Sequence, residues 1–395
     1  MTGSALEGIR VLDLGQIYAG PYAGFLLAMA GAEVIKIEPP GGEFLRARAA
    51  VSGGIIPFAM LNTNKRSATL NLKDARGRDL LLRMVKDADI LLENYAAGTL
   101  ERLNLGWDVL HEANPRLIYA SVTGYGLSGP YRDYPAMDLT IQAMAGIMSV
   151  TGFQDREPVK AGAAIVDYMG GVNLYAAITT ALFQRERSGK GQQVEVSLQE
   201  AIYPTLSSNL GLYFAGKGTQ RTGNRHGGLA SSPYNVYPTS DGYIAIICIS
   251  ELQWRTLTEV MGSPELAADP RFSTLKERVR NMDLLDGLIG AWSGTLTKED
   301  AFQRLISRDV PSAPVRDLDD VINDAHMHGR GMLHHVDHPQ FGKLVLPSSP
   351  LKLHDSVSPE RQESAALGDH NAEIYQDWLG LSGEEAAKLK ADGVI

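Results

Sequence analysis

Asp167 is the residue whose type and setting best suit covalent chemistry. It ends the run Ala161-Gly-Ala-Ala-Ile-Val-Asp167, just before a helical pattern over residues 170–187. An aspartate there is a good N-cap, and most aspartates at helix starts have no other role. The helix dipole would also keep the carboxylate ionised, as a nucleophile requires, and the small neighbours leave room for a substrate. The residues alone leave both interpretations open.

A glycine-rich segment follows a predicted strand at Gly124-Tyr-Gly126-Leu-Ser-Gly129. It matches the dinucleotide-binding pattern, which requires a helix to open at the last glycine so that its N-terminus faces the pyrophosphate. The next residues are Pro130-Tyr-Arg-Asp-Tyr-Pro135, which cannot form that helix. We therefore expect a plain turn and no nicotinamide cofactor.

Histidines are concentrated near the C-terminus, at His326, His328, His334, His335 and His338. A zinc site needs several converging ligands, commonly with carboxylate support, and the spacing here matches no zinc signature. We expect a polar surface loop and no metal. Basic residues at Lys65, Arg66, Lys73 and Arg102 lie near predicted strand ends. Such residues are usually solvated, although this placement would also suit the phosphates of a nucleotide-like ligand.

These residues depend on a framework of alternating strands and helices. Strand patterns cover residues 9–14, 33–38, 89–94, 116–122 and 193–197, and helical patterns cover residues 21–30, 74–88, 170–187 and 198–215. This alternation predicts an α/β fold with a Rossmann-like parallel sheet. Ligands of such sheets bind at the carboxyl ends of the strands. Those ends lead here into residues 15–21, 94–96 and 123–126.

A chain of 395 residues is too long for one ordinary domain. We expect a large Rossmann-like domain to begin with residues 1–215. A linker with a glycine-rich loop would follow at 216–232, and a smaller α/β domain at 233–320. The lone cysteine, Cys248, lies in a pattern typical of a buried strand and is expected to be a core residue.

The net charge of −9 argues against nucleic acid or an anionic membrane as the main partner. It is compatible with a small anionic ligand, which needs only a local cluster of cations. Neither a signal peptide nor an apolar run of ~20 residues is visible, so we expect a cytoplasmic location.

At these residues the sequence resembles the class III CoA-transferase family, which includes formyl-CoA and carnitine CoA-transferases and the related α-methylacyl-CoA racemases. The matching stretches include Leu12-Asp-Leu14, Ala19-Gly-Pro21, Gly31-Ala-Glu-Val-Ile-Lys-Ile-Glu38, Asn64-Lys-Arg-Ser67, Leu70-Asn-Leu-Lys73, Ala88-Asp-Ile-Leu-Leu-Glu-Asn94, Asn114-Pro-Arg-Leu-Ile-Tyr119, Gln142-Ala-Met-Ala-Gly146, Val166-Asp167 and Arg187-Ser-Gly-Lys-Gly-Gln192. The match thins beyond about residue 205 and returns at Tyr237-Pro-Thr-Ser-Asp-Gly242 and Leu367-Gly-Asp-His-Asn371.

The resemblance implies an interlocked homodimer whose large domain also takes up residues 321–395. It implies that Asp167 is the nucleophile and that Gly227 and Gly228 belong to a glycine-rich loop over the active site. It implies an acyl-CoA and a small carboxylic acid as substrates, with coenzyme A bound as part of the substrate and no separate cofactor. The implied CoA contacts are Tyr18, Ala19, Leu70, Asn71, Leu72, Lys73, Asn94, Tyr95, Ala96, Arg102 and Met137.

Three departures from the family pattern bear on specificity. Tyr18 stands where formyl-CoA transferases carry glutamine, and Pro39 where many members carry an arginine that contacts CoA. The resemblance therefore does not fix the acyl group. Met137 precedes Asp138 where the racemases carry a His-Asp pair, and methionine cannot move a proton. We expect a CoA-transferase, with an acyl-CoA racemase or isomerase and a non-catalytic CoA-binding protein as the alternatives.

Overall fold

A computed structural model describes residues 3–48, 55–218, 220–339 and 341–395. The chain divides into two compact units. The first contains Met1–Ile141, Ala163–Tyr203 and Asp324–Ile395, and the second contains Gln142–Gly162 and Pro204–Asn323. The sequence analysis expects residues 142–162 and 204–215 in the large domain, whereas the structure groups them with the second unit.

The first unit is built on a six-stranded sheet whose strands are all parallel. The strands are β1 (Arg10–Asp13), β2 (Glu33–Glu38), β3 (Lys65–Thr69), β4 (Ile90–Glu93), β5 (Ile118–Thr123) and β6 (Gln192–Ser197). Their order is β3-β2-β1-β4-β5-β6, which is the order of dinucleotide-binding Rossmann folds. The prediction of a parallel α/β sheet is confirmed. The second α/β domain and the interlocked homodimer stay predictions.

Helices on both faces bury the sheet. The helices between residues 19 and 202 are α1 (Ala19–Met29), α2 (Phe44–Arg48), α3 (Ile55–Leu61), α4 (Ala75–Val85), α5 (Thr99–Arg102), α6 (Trp107–Ala113), α7 (Asp138–Met144), α8 (Ile147–Val150), α9 (Ile165–Ser188) and α10 (Leu198–Ile202). Of these, α8 and the end of α7 belong to the second unit. The central strands read as continuous apolar runs because both of their faces are covered. Leu12, Ile35 and Leu91 accordingly have no exposed surface.

Helix α9 begins five residues earlier than its sequence pattern indicates, at Ile165 instead of residue 170. The sequence pattern does not show the true start of the helix, because Gly170 and Gly171 near that start weaken a helical pattern. Both glycines allow close packing: an added Cβ at Gly170 would lie 2.2 Å from Leu198, and one at Gly171 would lie 2.7 Å from the Ala19 carbonyl oxygen. Asp167 is therefore in the first turn of α9 and not ahead of it.

The segment predicted as one helix over residues 198–215 is broken. Helix α10 gives way to a 3₁₀ turn (Tyr203–Leu206) that contains Pro204. The chain continues as α11 (Ser207–Leu212) and a π-helical turn (Tyr213–Lys217) in which Gly216 has a left-handed backbone. Proline cannot supply the N–H that an uninterrupted helix needs, which accounts for the break.

The second unit contains an antiparallel sheet of β7 (Tyr234–Thr239), β8 (Gly242–Ile247) and β9 (Ser312–Pro314). Its other helices are α12 (Glu251–Val260), a 3₁₀ turn (Pro264–Ala267), α13 (Leu275–Arg280), α14 (Met282–Ser293), α15 (Lys298–Ile306) and α16 (Leu318–Ile322). Trp254, Leu257 and Phe272 pack in its core, and the thiol of Cys248 is buried and unbonded to another cysteine.

The C-terminal part of the first unit contains α17 (Ala325–Gly329), the hairpin of β10 (Leu333–His338) and β11 (Gly342–Pro347), α18 (Asn371–Leu379) and α19 (Gly383–Ala391). The prediction that the histidine-rich segment is a loop is wrong. His326 and His328 lie on α17, and His334, His335 and His338 lie on β10. Buried His338 bonds to Ser364 Oγ at 3.0 Å. In the described ranges, no group of three His, Cys, Asp or Glu side chains could hold a metal ion. No described helix is both long and apolar enough to span a membrane.

Candidate active site

A cavity of about 560 Å³ opens at the carboxyl ends of β1, β4 and β5. Its position is the switch point of the sheet, where strand order reverses between β1 and β4 and where ligands of such sheets bind. All of the lining residues belong to the first unit. They are Gln16–Ala19, Asn94–Ala97, Arg102, Val122–Gly124, Arg132–Met137, Asp167 and Leu198.

The loop after β1 is held by the side chain of Asn94 at the end of β4. Asn94 Oδ1 accepts the Gln16 N–H at 2.6 Å, and Asn94 Nδ2 donates to the Gln16 carbonyl oxygen at 2.8 Å. Glu43 Oε2 accepts the N–H of the next residue, Ile17, at 3.1 Å. Ile17 has a φ of 64°, which is rare for a β-branched residue and costs energy. The surrounding bonds hold the loop in this strained shape.

Buried charges lie directly beneath the same loop. Asp13 Oδ1 accepts the Gly15 N–H at 2.7 Å, and Lys36 Nζ donates to the Gly15 carbonyl oxygen. Asp13 also pairs with Lys65 at 2.7 Å, and both side chains are almost fully buried. Burial lowers the pKa of Lys65 to about 8, although the Asp13 carboxylate opposes that shift. A buried charge pair that also bonds to the loop backbone makes the loop costly to rearrange.

A second buried carboxyl positions the loop after β4. Glu93 accepts the Tyr95 N–H at 2.7 Å and hydrogen bonds from the hydroxyls of Tyr119 and Ser121. Burial raises the pKa of Glu93 to about 7, against the effect of these donors. Tyr95 lines the cavity, so Glu93 supports the site from behind.

Asp167 lies close to a second carboxylate, that of Asp138 at the start of α7. Asp138 Oδ2 accepts the N–H of Val166 at 2.9 Å and the N–H of Asp167 at 3.2 Å. Asp138 thereby bonds to amides that open α9. Burial, and secondarily the charge of Asp138, raise the pKa of Asp167 to about 7. Both effects act against the helix dipole, which we expect to favour the ionised carboxylate.

Three tyrosine rings pack together next to Asp167 in sequence, around Tyr168. The ring of Tyr168 lies 4.8 Å from that of Tyr22 and 6.0 Å from that of Tyr18, measured between centroids. Burial raises the pKa of the Tyr168 hydroxyl above its ordinary value. The cluster fixes the position of Tyr168, the residue that follows Asp167 on α9.

The structure brings most of the predicted site residues together in one cavity. Those that line it are Tyr18, Ala19, Asn94, Tyr95, Ala96, Arg102, Met137 and Asp167. Among the described residues that line the cavity, none comes from residues 70–73. Leu70 is 2% exposed within the core, Leu72 packs against that core, and Lys73 is exposed. Asn71 bonds instead to the backbone near the C-terminus, through the Val394 and Gly393 carbonyl oxygens.

Gly227 and Gly228 belong to the second unit. The Gly228 N–H donates to His226 Nδ1 at 3.1 Å. An added Cβ at Gly227 would lie 3.0 Å from the Asn209 side chain, so this glycine packs tightly within its own unit.

Sequence reasoning missed Asp138 and Arg132 as site residues. Asp138 appeared only as the neighbour of Met137, and its contact with the start of α9 joins residues that are 28 positions apart. Arg132 lies just after the glycine pattern, in residues 130–135, for which the sequence predicts no helix. That segment has no regular helix or strand, as predicted, yet four of its residues, Arg132–Pro135, line the cavity.

The sheet order and the cavity at its switch point define an α/β protein of the doubly wound, ligand-binding class. The chain belongs to CoA-transferase family III, whose model matches residues 6–371.

Two curated relatives match over 98% or more of their length. The chain is 38% identical to a formyl-CoA:oxalate CoA-transferase of Streptomyces coelicolor, with all of both chains covered. It is 37% identical to a succinyl-CoA–D-citramalate CoA-transferase of Chloroflexus aurantiacus, covering 99% of this chain and 98% of that one. A solved CaiB/BaiF family protein from Brucella suis has a TM-score of 0.84 at 35% identity, covering 95% of this chain and 100% of that one.

Proposed function

We propose that this protein is a CoA-transferase that moves CoA from an acyl-CoA thioester to a free carboxylic acid, with Asp167 as the nucleophile. The observation that carries the proposal is the placement of Asp167: a largely buried carboxyl, with a pKa of about 7, lines the cavity at the switch point of the sheet. A carboxylate is a suitable nucleophile for exchange between two carboxylic acids, because each intermediate has an energy close to that of an activated acyl group.

In the first step the Asp167 carboxylate attacks the thioester carbonyl carbon. The carbon–sulfur bond breaks and CoA leaves as a thiolate, so that Asp167 and the donor acyl group are joined as a mixed anhydride. The thiolate then attacks the Asp167 carbonyl carbon and expels the donor acid as a carboxylate. Asp167 now carries CoA as a thioester.

The acceptor acid reverses these two steps. Its carboxylate attacks the aspartyl thioester, which releases CoA thiolate and forms a second mixed anhydride. The thiolate attacks the acceptor carbonyl of that anhydride and frees the Asp167 carboxylate. Charge and atoms balance with the two acids and CoA alone, so the proposal includes no further cofactor.

The surroundings of Asp167 favour its acylation. Burial and the neighbouring Asp138 raise the energy of the free carboxylate. An anhydride or a thioester at Asp167 is neutral, so acylation relieves both effects. The raised pKa also makes the ionised fraction a more basic, and therefore stronger, nucleophile.

Racemisation within the same family is the alternative, and two observations favour transfer. Met137 lines the cavity at the position where the racemases that the chain resembles carry histidine, and a thioether cannot exchange a proton. The curated relatives described above are named CoA-transferases. A racemase would exchange the α-hydrogen of an acyl-CoA with deuterium in the absence of any added acid.

The test is to trap the covalent intermediate. Enzyme mixed with acyl-CoA in the absence of acceptor should react with hydroxylamine to give a hydroxamate on the peptide that contains Asp167, detected by mass spectrometry. Asp167→Asn should lose this product and roughly 10³-fold or more of the turnover. Asp108→Asn is the matched control, because Asp108 is also in the first turn of a helix but is exposed. An unmodified Asp167 peptide while transfer is running would exclude the mechanism.

A further inference from the structure

Two arginine side chains meet at the wall of the cavity. Arg102 ends helix α5, and Arg132 lies in the turn between β5 and α7. A Cβ atom added to Gly98 would lie 3.1 Å from Arg102 Nη1 and 3.3 Å from Arg132 Nη2. The two guanidinium groups therefore reach the same point above Gly98, although the two arginines are far apart in sequence.

Nothing in the described part of the chain balances this pair of charges closely. Arg132 Nε is buried without a hydrogen-bond partner. The carboxylate paired with Arg132 is that of its neighbour Asp133, at 3.9 Å, and the Asp133 side chain is 80% exposed. Arg102 bonds to neutral acceptors, Thr99 Oγ1 at 2.9 Å and the Ala97 carbonyl oxygen at 3.5 Å.

A buried donor without a partner costs free energy, and like charges that approach each other add to that cost. A bound anion removes both costs at once. Guanidinium groups bind phosphate with paired hydrogen bonds and remain charged at every relevant pH. Gly98 keeps the point between them open, because it lacks a side chain and its φ of 77° suits glycine.

We propose that Arg132 and Arg102 together bind one phosphate group of the CoA substrate. The proposal rests on the proposed function, since the cavity that both arginines line also contains Asp167. Arg132 is then a binding residue in addition to the contacts that the family resemblance implies. CoA offers its ribose 3′-phosphate and its pyrophosphate, and both have the chemistry that the pair requires.

Calorimetric titration of Arg102→Gln, Arg132→Gln and the double variant with CoA tests the proposal. Each single variant should weaken binding roughly tenfold. The double variant should lose less than the product of the two single losses, because both side chains share one ligand group. Arg132 forms no strong internal bond, so its replacement should not lower the melting temperature. Arg187→Gln is the matched control, since Arg187 is exposed on α9 and is not one of the residues that line the cavity.

Titration with dephospho-CoA, which lacks the 3′-phosphate and keeps the pyrophosphate, identifies the phosphate group that the two arginines bind. If the pair binds the 3′-phosphate, Arg132→Gln should bind dephospho-CoA as well as the wild type does. If the pair binds the pyrophosphate, the same variant should weaken CoA and dephospho-CoA equally. CoA affinity within about twofold of wild type in folded Arg132→Gln would overturn this proposal and leave the transferase intact. Failure of the wild type itself to bind CoA would instead overturn the proposed function.

Discussion

The carboxylate of Asp138 accepts the backbone N–H of Asp167, and its charge raises the pKa of the Asp167 side chain. Asp138 thus stabilises the start of helix α9 and destabilises the ionised form of the Asp167 side chain, which lines the cavity. Two acidic groups in such proximity are usually unfavourable in a protein that has no use for them. Their arrangement suggests experiments on the titration of Asp167.

The pH dependence of kcat/KM should follow the ionisation of Asp167. The attacking form is the carboxylate, so activity should rise with pH and level off above the pKa of about 7. Initial rates from pH 5.5 to 8.5 at low acyl-CoA concentration would measure this. A profile that is flat down to pH 5.5 would contradict the raised pKa.

Asp138→Asn should move that profile to lower pH. The asparagine Oδ1 can still accept the Val166 and Asp167 N–H groups, while the negative charge is removed. Burial is the larger cause of the raised pKa and remains in the variant. We therefore expect a shift of roughly half to one pH unit and not a return to the ordinary pKa. An unshifted midpoint would show that the Asp138 charge has no effect on Asp167.

Asp167→Asn should be more stable than the wild type at neutral and alkaline pH. The folded-state pKa of Asp167 lies above 3.8, the ordinary value for an aspartate. Its contribution to stability is therefore fully present below that value and is lost as pH rises through about 7. An amide avoids this loss, and we expect a gain of roughly 1–2 kcal/mol at pH 8 after allowance for partial exposure.

Denaturant unfolding of both proteins at pH 4.5 and pH 8 measures this difference, which should grow with pH. Glu93 titrates in the same direction and is present in both proteins, so its contribution cancels. A difference that is independent of pH would contradict the assignment of the shift to Asp167.

Asn94→Ala should impair the site through the loop after β1. It removes both bonds to the Gln16 backbone, which costs about 1–3 kcal/mol of stability. With that support lost, the strained backbone at Ile17 should relax and the KM for acyl-CoA should rise. Asn94→Asp keeps the acceptor for the Gln16 N–H and loses the donor, so its effect should be intermediate. Thermal unfolding and steady-state kinetics of both variants provide the measurement.

Five of the six strands could be predicted from the sequence, because strands that are buried on both faces read as apolar runs. Strand β3 could not, because its sequence, Lys-Arg-Ser-Ala-Thr, contains no such run. The strand ends indicated part of the cavity, and the family resemblance implied Arg102, Met137 and Asp167. The start of α9 could not be placed, since Gly170 and Gly171 weaken its helical pattern. Both positions require glycine because other elements pack closely against them, which the sequence does not show. The pairing of Asp138 with Asp167, and that of Arg102 with Arg132, joins distant segments that only the fold brings together. Residues 70–73 match the family pattern, but the structure places them outside the cavity lining.

The pKa of Asp167 also determines how many protons the first half-reaction releases. At pH 7 about half of the enzyme carries a proton on this carboxyl group. Formation of the aspartyl thioester converts the carboxyl group into a thioester and releases the donor acid as a carboxylate. The proton carried by a protonated Asp167 must therefore enter the solvent. A weakly buffered indicator dye should record a burst of nearly one proton per site at pH 6 and almost none above pH 8. Acylation at pH 7 would therefore release about half a proton per site on average, before any acceptor has reacted.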